Sequence, residues 1–388
     1  MTYDFDKIID RRDTYSMKYN PAARGKPDDV IPLWVADMDF TAPPCVLDAI
    51  MKQTQHGIFG YFHTDESYSG TLQNWFLRRH NWHIEHDWLI KLPGVVSAIH
   101  LAIMAFTEPD ESVIIQQPVY YPFMSAVSST GRRLVVNQLA LKNGRYEIDF
   151  NDFEQQIISS NVKVFVLCNP HNPVGRVFTR EELMRLGDIC LRHNVIVIAD
   201  EIHQDFIYDG HQHLVFAGLD SRLSDITVTC TAPTKTFNIA ALSVANIFIS
   251  NKSLRKQFSQ EYAKFGVPQI GVMEIVSCVA AYEHGEKWLS QLLHYLSENM
   301  NSIDEFLKNN LPEIELIKPE GTYLAWLDFR ALGLSDKALD DTITHKAKLW
   351  LHRGTTFGAG GEGFMRLNTA CPRSVLQKAL EQLKRAFN

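Results

Sequence analysis

The sequence of 388 residues has few cysteines, no long apolar run and no excess of positive charge. Its six cysteines lie far apart and mostly in apolar segments, which is typical of buried free thiols rather than of a disulfide framework. No apolar run reaches the roughly 20 residues that a membrane-spanning helix requires. Because 38 basic residues face 45 acidic ones, we expect no nucleic-acid partner and no membrane partner.

The first residues also lack an apolar core. Met-Thr-Tyr-Asp-Phe-Asp-Lys carries acidic side chains, so we expect no secretory signal at this end. The remaining composition, 45% hydrophobic and 21% charged, is ordinary for a soluble globular protein large enough for two domains. Together with the dispersed thiols, these features predict a cytoplasmic protein in a reducing environment.

Short apolar segments alternate with helical patterns from residue 88 onward. Several of the segments are apolar throughout, which is typical of parallel strands buried on both faces. The sequence therefore predicts an α/β fold with a mostly parallel central sheet covered by helices on both sides. The predicted strands are 88–92, 112–116, 133–138, 162–167, 195–199 and 226–230, and the predicted helices between them are 95–106, 120–129 and 180–193.

The pattern changes after Leu311-Pro312, where short strands and two helices indicate a smaller α+β domain. We expect the N-terminal segment to complete it, which gives a large domain of residues 46–286 and a small domain of residues 1–45 and 287–388. The elements predicted around this change are long helices at 267–283 and 287–307, strands at 313–317, 323–329, 349–352 and 364–368, and helices at 335–349 and 373–387.

Three polar residues, Asn169, Asp200 and Lys235, each follow a predicted strand. In parallel sheets ligands bind beyond the carboxyl ends of the strands, so these side chains predict a binding crevice. A desolvated lysine suits Schiff-base chemistry, although Lys235 taken alone could equally be a surface lysine in a turn. An aspartate after a buried strand is costly to ionise unless a cation, such as a protonated pyridine nitrogen, faces it.

Three motifs in this order resemble a known family: Asn169-Pro-His-Asn-Pro-Val-Gly175, Asp200-Glu-Ile-His203 and Thr234-Lys-Thr-Phe-Asn238. They are similar to fold-type-I pyridoxal-phosphate enzymes of the aspartate aminotransferase class. Within that class the chain resembles the cystathionine β-lyase, or C–S lyase, branch. Four further segments support this branch: Val35-Ala-Asp-Met-Asp-Phe40, Gly57-Ile-Phe-Gly-Tyr61, Gly321-Thr-Tyr-Leu-Ala-Trp326 and Arg366-Leu-Asn-Thr-Ala-Cys-Pro-Arg373.

The resemblance implies pyridoxal 5′-phosphate as the cofactor and assigns roles around it. Lys235 would form the Schiff base and act as the catalytic base, and Asp200 would pair with the pyridine nitrogen. Tyr120 would stack on the ring and share in catalysis. The other residues implied to bind the cofactor are Asn172 at the ring oxygen, His203 in place of a tyrosine common in the wider class, Gly94, Val95 and Val96 through backbone N–H groups, and the hydroxyls of Thr231, Thr234 and Tyr61 at the phosphate.

Substrate binding is implied for Arg366, which would grip the α-carboxylate in a task suited to a guanidinium group. Asn172, Tyr61, Ala36 and Tyr323 complete the predicted substrate set. Tyr61 resembles a tyrosine that reaches the neighbouring subunit, so the resemblance also implies a homodimer with shared active sites. The phosphate ligands follow the wider class less closely, because Ala232 and Ser243 stand where a serine and an arginine are common.

The implied reaction is α,β-elimination of a sulfur amino acid. L-Cystathionine or L-cysteine would give pyruvate, ammonia and a thiol, either homocysteine or hydrogen sulfide. Two alternatives stay open at this point. One is transamination, which shares its early steps with elimination. The other is a cofactor-holding regulatory protein that binds a transcription factor, for which a full catalytic set would be unnecessary.

Two other patterns suggest binding sites less strongly. Residues 358–363, Gly-Ala-Gly-Gly-Glu-Gly, imitate a dinucleotide fingerprint, but a strand pattern follows them where the fingerprint requires a helix. We expect a glycine loop between strands there. The histidines near residues 80–86 and 211–213 lack the ligand spacing of a familiar zinc site, so we predict no metal.

Overall fold

The computed structural model describes residues 2–266 and 270–388 of the chain. Short strands dominate its centre. The strands are β1 (Ile31–Pro32), β2 (Leu89–Leu92), β3 (Ser112–Gln117), β4 (Arg133–Gln138), β5 (Ala140–Lys142), β6 (Arg145–Glu147), β7 (Val162–Cys168), β8 (Ile196–Asp200), β9 (Thr227–Thr231), β10 (Ala245–Phe248), β11 (Glu315–Ile317), β12 (Leu324–Asp328), β13 (Leu349–Trp350), β14 (His352–Arg353) and β15 (Phe364–Asn368).

Helices connect most of these strands. They are α1 (Pro44–His56), α2 (Glu66–His80), α3 (Val95–Phe106), α4 (Pro122–Ser129), α5 (Phe150–Ser159), α6 (Arg180–Arg192), α7 (Ser221–Ser224), α8 (Pro233–Thr236), α9 (Lys252–Lys264), α10 (Val272–His284), α11 (Glu286–Asn310), α12 (Asp336–Asp341) and α13 (Arg373–Phe387). Across the described residues, no helix combines the length and the apolar character needed to cross a membrane.

The central sheet has the order β2-β10-β9-β8-β7-β3-β4. Only β10 runs antiparallel to its neighbours, so the sheet is mostly parallel. Successive residues of a strand face opposite sides of a sheet. Val113 and Ile115 of β3 accordingly pack with α3, α4 and α9, while Ile114 packs with α5 and α6 on the other side. The predicted fold class is confirmed.

A second, antiparallel sheet has the order β11-β12-β15-β14 and packs against α11, α12 and α13. The N-terminal segment reaches this region, because β1 pairs in parallel with β13 and Leu33 enters the same core. Other N-terminal side chains, Phe5 and Phe40, pack instead in the core that surrounds α2 and α10. The division into domains of residues 46–286 and 1–45 with 287–388 stays a prediction.

Most predicted elements are present, with ends displaced by at most three residues, but some differ. The helix predicted over 335–349 is interrupted, since α12 ends at Asp341 and a wider π-type turn, Thr342–Lys346, follows. β-Branched side chains at Thr342, Ile343 and Thr344 lower helix propensity at this point. The predicted start of α10, at residue 267, lies outside the described residues.

Several elements were not predicted from the sequence: β10, α5, α9, the β5–β6 hairpin and the short elements β1, α7 and α8. Helices α5 and α9 both begin with a recognisable cap. Asp149 accepts hydrogen bonds from the N–H groups of Asn151 and Asp152 at the start of α5, and the Asn251 side chain does the same for Ser253 and Leu254 at α9. Such caps satisfy N–H groups that have no partner inside the helix. They were the signal that could have identified these helices.

Candidate active site

A cavity of about 360 Å³ lies beyond the carboxyl ends of the central strands. A larger groove, about 660 Å³, runs between α11 and β11 and contains none of the residues predicted for the site. The cavity, by contrast, gathers ten of them. The predicted residues that line it are Ala36, Gly94, Val95, Val96, Tyr120, Asn172, Asp200, His203, Lys235 and Arg366.

The strand order explains why residues distant in sequence meet here. β9, β8 and β7 are adjacent, so their carboxyl ends lie side by side. The N–H of Asn169 donates to the carbonyl of Asp200 at 3.0 Å, and the N–H of Glu201 donates to the carbonyl of Cys230 at 3.0 Å. The loops that leave these strands therefore begin in register, and their polar side chains converge at one edge of the sheet.

Lys235 lies in the short helix α8, which starts at Pro233 directly after β9. Its Nζ donates to the carbonyl oxygen of Ala36 at 2.6 Å, and its side chain lines the cavity. The neighbouring Thr236 hydroxyl donates to the buried carboxylate of Asp205 at 2.8 Å, which fixes α8 in place. Burial lowers the pKa of Lys235 to about 8, helped by the charge of Arg366. An amine of this pKa can act as base or nucleophile near neutral pH.

Asp200 ends β8 and is buried. Its Oδ1 accepts one hydrogen bond, from the N–H of Ile202 at 3.1 Å, and no ion pair involves it within the described residues. Burial raises the pKa of this carboxyl to about 7. A cation placed against it, such as a protonated pyridine nitrogen, would stabilise the ionised form and be stabilised in return.

Arg366 is a buried cation on β15 that has no anionic partner in the part of the chain the structure describes. Its Nη1 donates to Oδ1 of Asn172 at 2.9 Å, and its Nη2 donates to the carbonyl of Trp34 at 2.8 Å. Burial lowers the pKa of Arg366 to about 10, so the group stays charged at neutral pH. Such a guanidinium fits the carboxylate of an amino acid. The hydrogen bond from Arg366 to Oδ1 also orients the Asn172 amide, so that its N–H₂ group is left available to donate.

An anion site lies at the start of α3. Gly94 precedes the helix with φ of +134°, a conformation that side chains with a Cβ rarely adopt. No side chain caps this helix, and the Gly94, Val95, Val96 and Ser97 residues line the cavity. The first N–H groups of a helix have no partner within it and carry partial positive charge. This end of α3 therefore fits a phosphate group.

Aromatic groups form the walls of the cavity. The Tyr120 ring lies 5.5 Å from that of Tyr121 between ring centres. Burial raises the pKa of Tyr120 to about 12, so its hydroxyl is protonated at neutral pH and can donate. His203 is buried, and burial together with the charges of Lys235 and Arg366 lowers its pKa to about 3, which makes its ring neutral.

Four predicted residues do not line the cavity. Tyr323 lies behind its wall, where its hydroxyl donates to the Ala36 carbonyl at 3.0 Å. The Thr231 hydroxyl donates to the carbonyl of Asn246 at 2.9 Å, because the two residues are paired in the β9–β10 ladder. Thr234 is half-buried outside the cavity, and Tyr61 is fully exposed. The placement of Tyr61 leaves its predicted reach to a second subunit untested.

Ten further residues line the cavity and were not predicted from the sequence. Trp34 directly precedes a segment recognised in the sequence, and Tyr121 follows a recognised tyrosine, so adjacency was the available signal. No local signal marks Arg24 or His352, because they reach the site from distant parts of the chain. The cavity-lining residues that were not predicted are Met17, Arg24, Trp34, Val35, Pro93, Ser97, Tyr121, Cys168, Ile202 and His352.

The histidines considered in the sequence have other contacts. His80 lies 3.1 Å from a carboxylate oxygen of Asp205, and His213 lies 3.2 Å from one of Glu201. Among residues 2–266 and 270–388, no group of three or more histidine, cysteine, aspartate or glutamate residues is arranged to hold a metal ion. The glycine-rich residues 358–363 lead into β15, as the strand pattern predicted.

The donor set of the cavity fits pyridoxal phosphate. Asp200 suits a ring nitrogen, the Asn172 amide suits a ring oxygen, Tyr120 offers an aromatic face, and the start of α3 suits a phosphate. The amine of Lys235 lies in the same cavity as a Schiff-base partner for an aldehyde. Arg366 remains for a substrate carboxylate.

Comparison with known proteins agrees with this assignment. Cystathionine beta-lyase PatB of Bacillus subtilis (strain 168) is 42% identical over 386 residues, which cover 99% of this chain and 100% of PatB. Cystalysin of Treponema denticola, whose structure contains a pyridoxal 5′-phosphate cofactor, superposes with a TM-score of 0.96 at 38% identity, covering 100% of this chain and 99% of cystalysin. The pyridoxal-phosphate-bound C–S lyase of Staphylococcus hominis has a TM-score of 0.94 at 34% identity, with 100% and 98% covered.

A family match completes the comparison. Residues 28–383 match the family described as Aminotransferase class I and II, which includes every residue of the cavity except Met17 and Arg24. The resemblance that the sequence motifs indicated is therefore confirmed. The chain belongs to the aminotransferase class I and II family.

Proposed function

We propose that this protein is a pyridoxal-phosphate-dependent C–S lyase that eliminates a thiol from the β-carbon of a sulfur amino acid. The observation that carries the proposal is the placement of the Lys235 amine in one cavity with Asp200 and Arg366. These groups offer a base, a partner for a pyridine nitrogen and a cation for the substrate carboxylate. The names of the relatives, cystathionine beta-lyase and C–S lyase, favour elimination over other reactions of the family.

The cofactor is pyridoxal 5′-phosphate, and each of its polar groups has a partner in the cavity. Asp200 would hold the ring nitrogen, the Asn172 amide would donate to the ring oxygen, and the N–H groups at the start of α3 would hold the phosphate. When bound, the cofactor supplies an electron-withdrawing ring that stabilises negative charge at the substrate Cα. Tyr120 would stack on this ring.

The residues of this chain would perform the remaining steps. Arg366 binds the substrate α-carboxylate and thereby orients the Cα–H bond toward Lys235. The neutral Lys235 amine takes the Cα proton as general base, and its pKa of about 8 keeps a useful neutral fraction near neutral pH. The bond between Cβ and sulfur then breaks, and the leaving thiolate takes a proton from Lys235 or from Tyr120. Released aminoacrylate hydrolyses to pyruvate and ammonia.

The preferred substrates we propose are L-cystathionine, which would give homocysteine, and L-cysteine, which would give hydrogen sulfide. We also propose a cytoplasmic location, since five of the six cysteines are buried free thiols. A homodimer with shared sites belongs to the same proposal. Tyr61, which is exposed in a single chain, would then contact the cofactor phosphate of the neighbouring subunit.

A direct test measures pyruvate and free thiol from L-cystathionine with purified protein, added cofactor and no 2-oxo acid. We expect sustained release of both products. Lys235→Ala should reduce the rate by at least about a thousandfold, because it removes both the Schiff-base amine and the base. Lys256→Ala, an exposed lysine on α9, is the matched control and should keep the wild-type rate.

Transamination is the alternative, favoured by the description of the family itself. Amino transfer consumes a 2-oxo acid, whereas elimination does not. Turnover that requires an added 2-oxo acid would therefore replace the lyase assignment with an aminotransferase. A Lys235→Ala protein that releases pyruvate at the wild-type rate would contradict the role given to Lys235. Wild-type protein that shows neither elimination nor amino transfer would favour the regulatory function.

A further inference from the structure

A second arginine lies at the mouth of the cavity. Arg24 lines it from the N-terminal segment, is exposed, and forms no ion pair among the described residues. Its guanidinium carbon lies 5.6 Å from the centre of the Trp34 ring, at a distance typical of a cation–π contact. The cavity therefore holds two arginines that have no anionic partner among residues 2–266 and 270–388, Arg366 inside and Arg24 at the entrance.

The turn that carries Arg24 is fixed to the rest of the molecule. The Arg24 N–H donates to the carbonyl of Pro21 at 2.9 Å, and Gly25, with φ of +65°, closes the turn by donating to Ala22 at 3.1 Å. Two residues later, the Lys26 ammonium donates to the Thr344 hydroxyl at 2.8 Å and pairs with Asp340. A cation presented by an anchored turn loses less conformational entropy when it binds an anion.

The surface between the two arginines is aromatic. Trp34 stacks on Trp350, with ring centres 4.5 Å apart and an interplanar angle of 13°. The His352 ring lies 5.9 Å from Trp34 and 5.6 Å from Tyr121. Trp34 joins the two ends of this surface, since its carbonyl accepts from Arg366 while Arg24 lies over its ring.

This arrangement fits an extended, two-headed ligand. One carboxylate would pair with Arg366, a thioether chain would pack along the aromatic surface, and a second negative charge would reach Arg24. L-Cysteine is too short to use the entrance, because its leaving group is a bare sulfur. L-Cystathionine carries its second carboxylate, beside a second ammonium group, at the end of the thioether substituent, so it places a carboxylate at each end of the ligand.

We propose that Arg24 and the Trp34 ring form a subsite for a carboxylate on the leaving group. This subsite selects S-substituted cysteines whose substituent ends in a carboxylate. The proposal rests on the C–S lyase function and names its substrate class. Because the contact forms equally in the bound substrate and in the transition state, Arg24 acts mainly on KM rather than on kcat.

The test compares L-cystathionine with S-ethyl-L-cysteine, which retains the thioether but lacks the second carboxylate. In Arg24→Gln, we expect the ratio of kcat/KM for cystathionine to that for S-ethyl-L-cysteine to fall about tenfold, chiefly through a higher KM for cystathionine. Added salt should weaken cystathionine binding in the wild type and have a smaller effect in the variant. Arg24→Lys should recover part of the ratio, because it restores the charge without the planar fork.

Arg12→Gln is the matched control, since Arg12 lies on the same segment but pairs with Asp10 outside the cavity. It should keep the wild-type ratio. An Arg24→Gln protein with the wild-type ratio, or with equal losses on both substrates, would overturn the subsite. Wild-type protein that eliminates from S-ethyl-L-cysteine but not from cystathionine would also overturn it. Absence of pyruvate from every substrate would instead count against the lyase function itself.

Discussion

Asp200 is a residue whose burial opposes folding while it supports the proposed chemistry. The carboxyl is 4% exposed, and burial raises its pKa to about 7. In an unfolded chain an aspartate has a pKa of about 3.9. A raised folded-state pKa means that the folded protein binds the proton more tightly than the unfolded chain does. The contribution of Asp200 to stability is therefore fully present below pH 4 and is lost as the pH rises through about 7.

Replacing this carboxyl should therefore stabilise the cofactor-free protein in a pH-dependent way. Asp200→Asn cannot ionise, so its advantage in free energy of unfolding over the wild type should grow by about 2–3 kcal/mol between pH 5 and pH 8. Urea denaturation of both proteins at the two pH values measures the difference. The same variant should lose most pyruvate release, because the neutral amide cannot pair with a protonated ring nitrogen.

The control is Asp48→Asn, which changes an exposed aspartate on α1 in the same chemical way. Its difference from the wild type in free energy of unfolding should not grow comparably between pH 5 and pH 8. If the difference in free energy of unfolding between Asp200→Asn and the wild type does not grow between pH 5 and pH 8, the Asp200 carboxylate has a stabilising partner in the folded chain, and burial does not dominate its pKa.

At the scale of the element, the turn before α3 has to provide both a backbone conformation and open space. An added Cβ at Gly94 would meet no atom within 4 Å, so the restriction is the backbone angle, φ of +134°, and not a clash with neighbours. Residues other than glycine adopt this region at a cost of about 1–3 kcal/mol. The chain can avoid that cost only by rotating the peptides that face the phosphate.

Gly94→Ala should consequently weaken cofactor binding by about tenfold or more, whether the strain persists or the turn changes. The dissociation constant for pyridoxal phosphate, measured by titration of cofactor-free protein, reports the effect. Gly70→Ala on α2 makes the same chemical change in a helix with no atom within 4 Å of the added Cβ. It should leave cofactor affinity intact and raise Tm slightly, because alanine favours the helix. Equal affinity in the two variants would exclude a special role for the Gly94 turn.

Sequence patterns predicted the elements around the cavity because their information is local. β7 is apolar apart from Lys163, and β8 is apolar up to its last residue, Asp200. The polar residues at or just beyond the ends of these strands mark the edge where ligands bind. Helix α3 was predicted over its full observed range from the same kind of local signal. Once the strand order makes β7, β8 and β9 neighbours, the convergence of Asn172, Asp200 and Lys235 follows.

Side-chain direction and long-range packing were harder to predict from the sequence. Thr231 carries a hydroxyl close in sequence to Lys235, yet that hydroxyl donates to the carbonyl of Asn246, its partner in β10. Strand β10 itself had not been predicted. Arg24 and His352 reach the cavity only through the pairing of β1 with β13 and of β14 with β15. β1 and β13 pair across more than three hundred residues, and such pairing leaves no periodic signal in either strand. β14 and β15 are close in the chain, but β14 has only two residues, too few to show a pattern.

At the scale of the whole molecule, the loop between α1 and α2 is unusual in its exposure of apolar side chains. Ile58, Phe59 and Tyr61 are 69%, 61% and 111% exposed. Apolar side chains grouped on a surface in this way are typical of a contact with another protein. The predicted homodimer would cover them, and a two-fold axis would place each loop against the other subunit.

Shared sites predict that two inactive variants can restore activity in a mixed dimer. If Tyr61 serves the neighbouring subunit, a hybrid of Lys235→Ala and Tyr61→Ala subunits contains one site with both defects and one with neither. Random reassociation of equal amounts makes half of the dimers hybrid, so we expect about a quarter of the wild-type pyruvate release after the two variants are unfolded and refolded together. Refolding each variant alone is the control and should give almost none.

If Tyr61 serves its own subunit, every site in the hybrid carries one defect, and mixing restores nothing. Sedimentation of the wild-type protein as a monomer would exclude the shared site independently of activity.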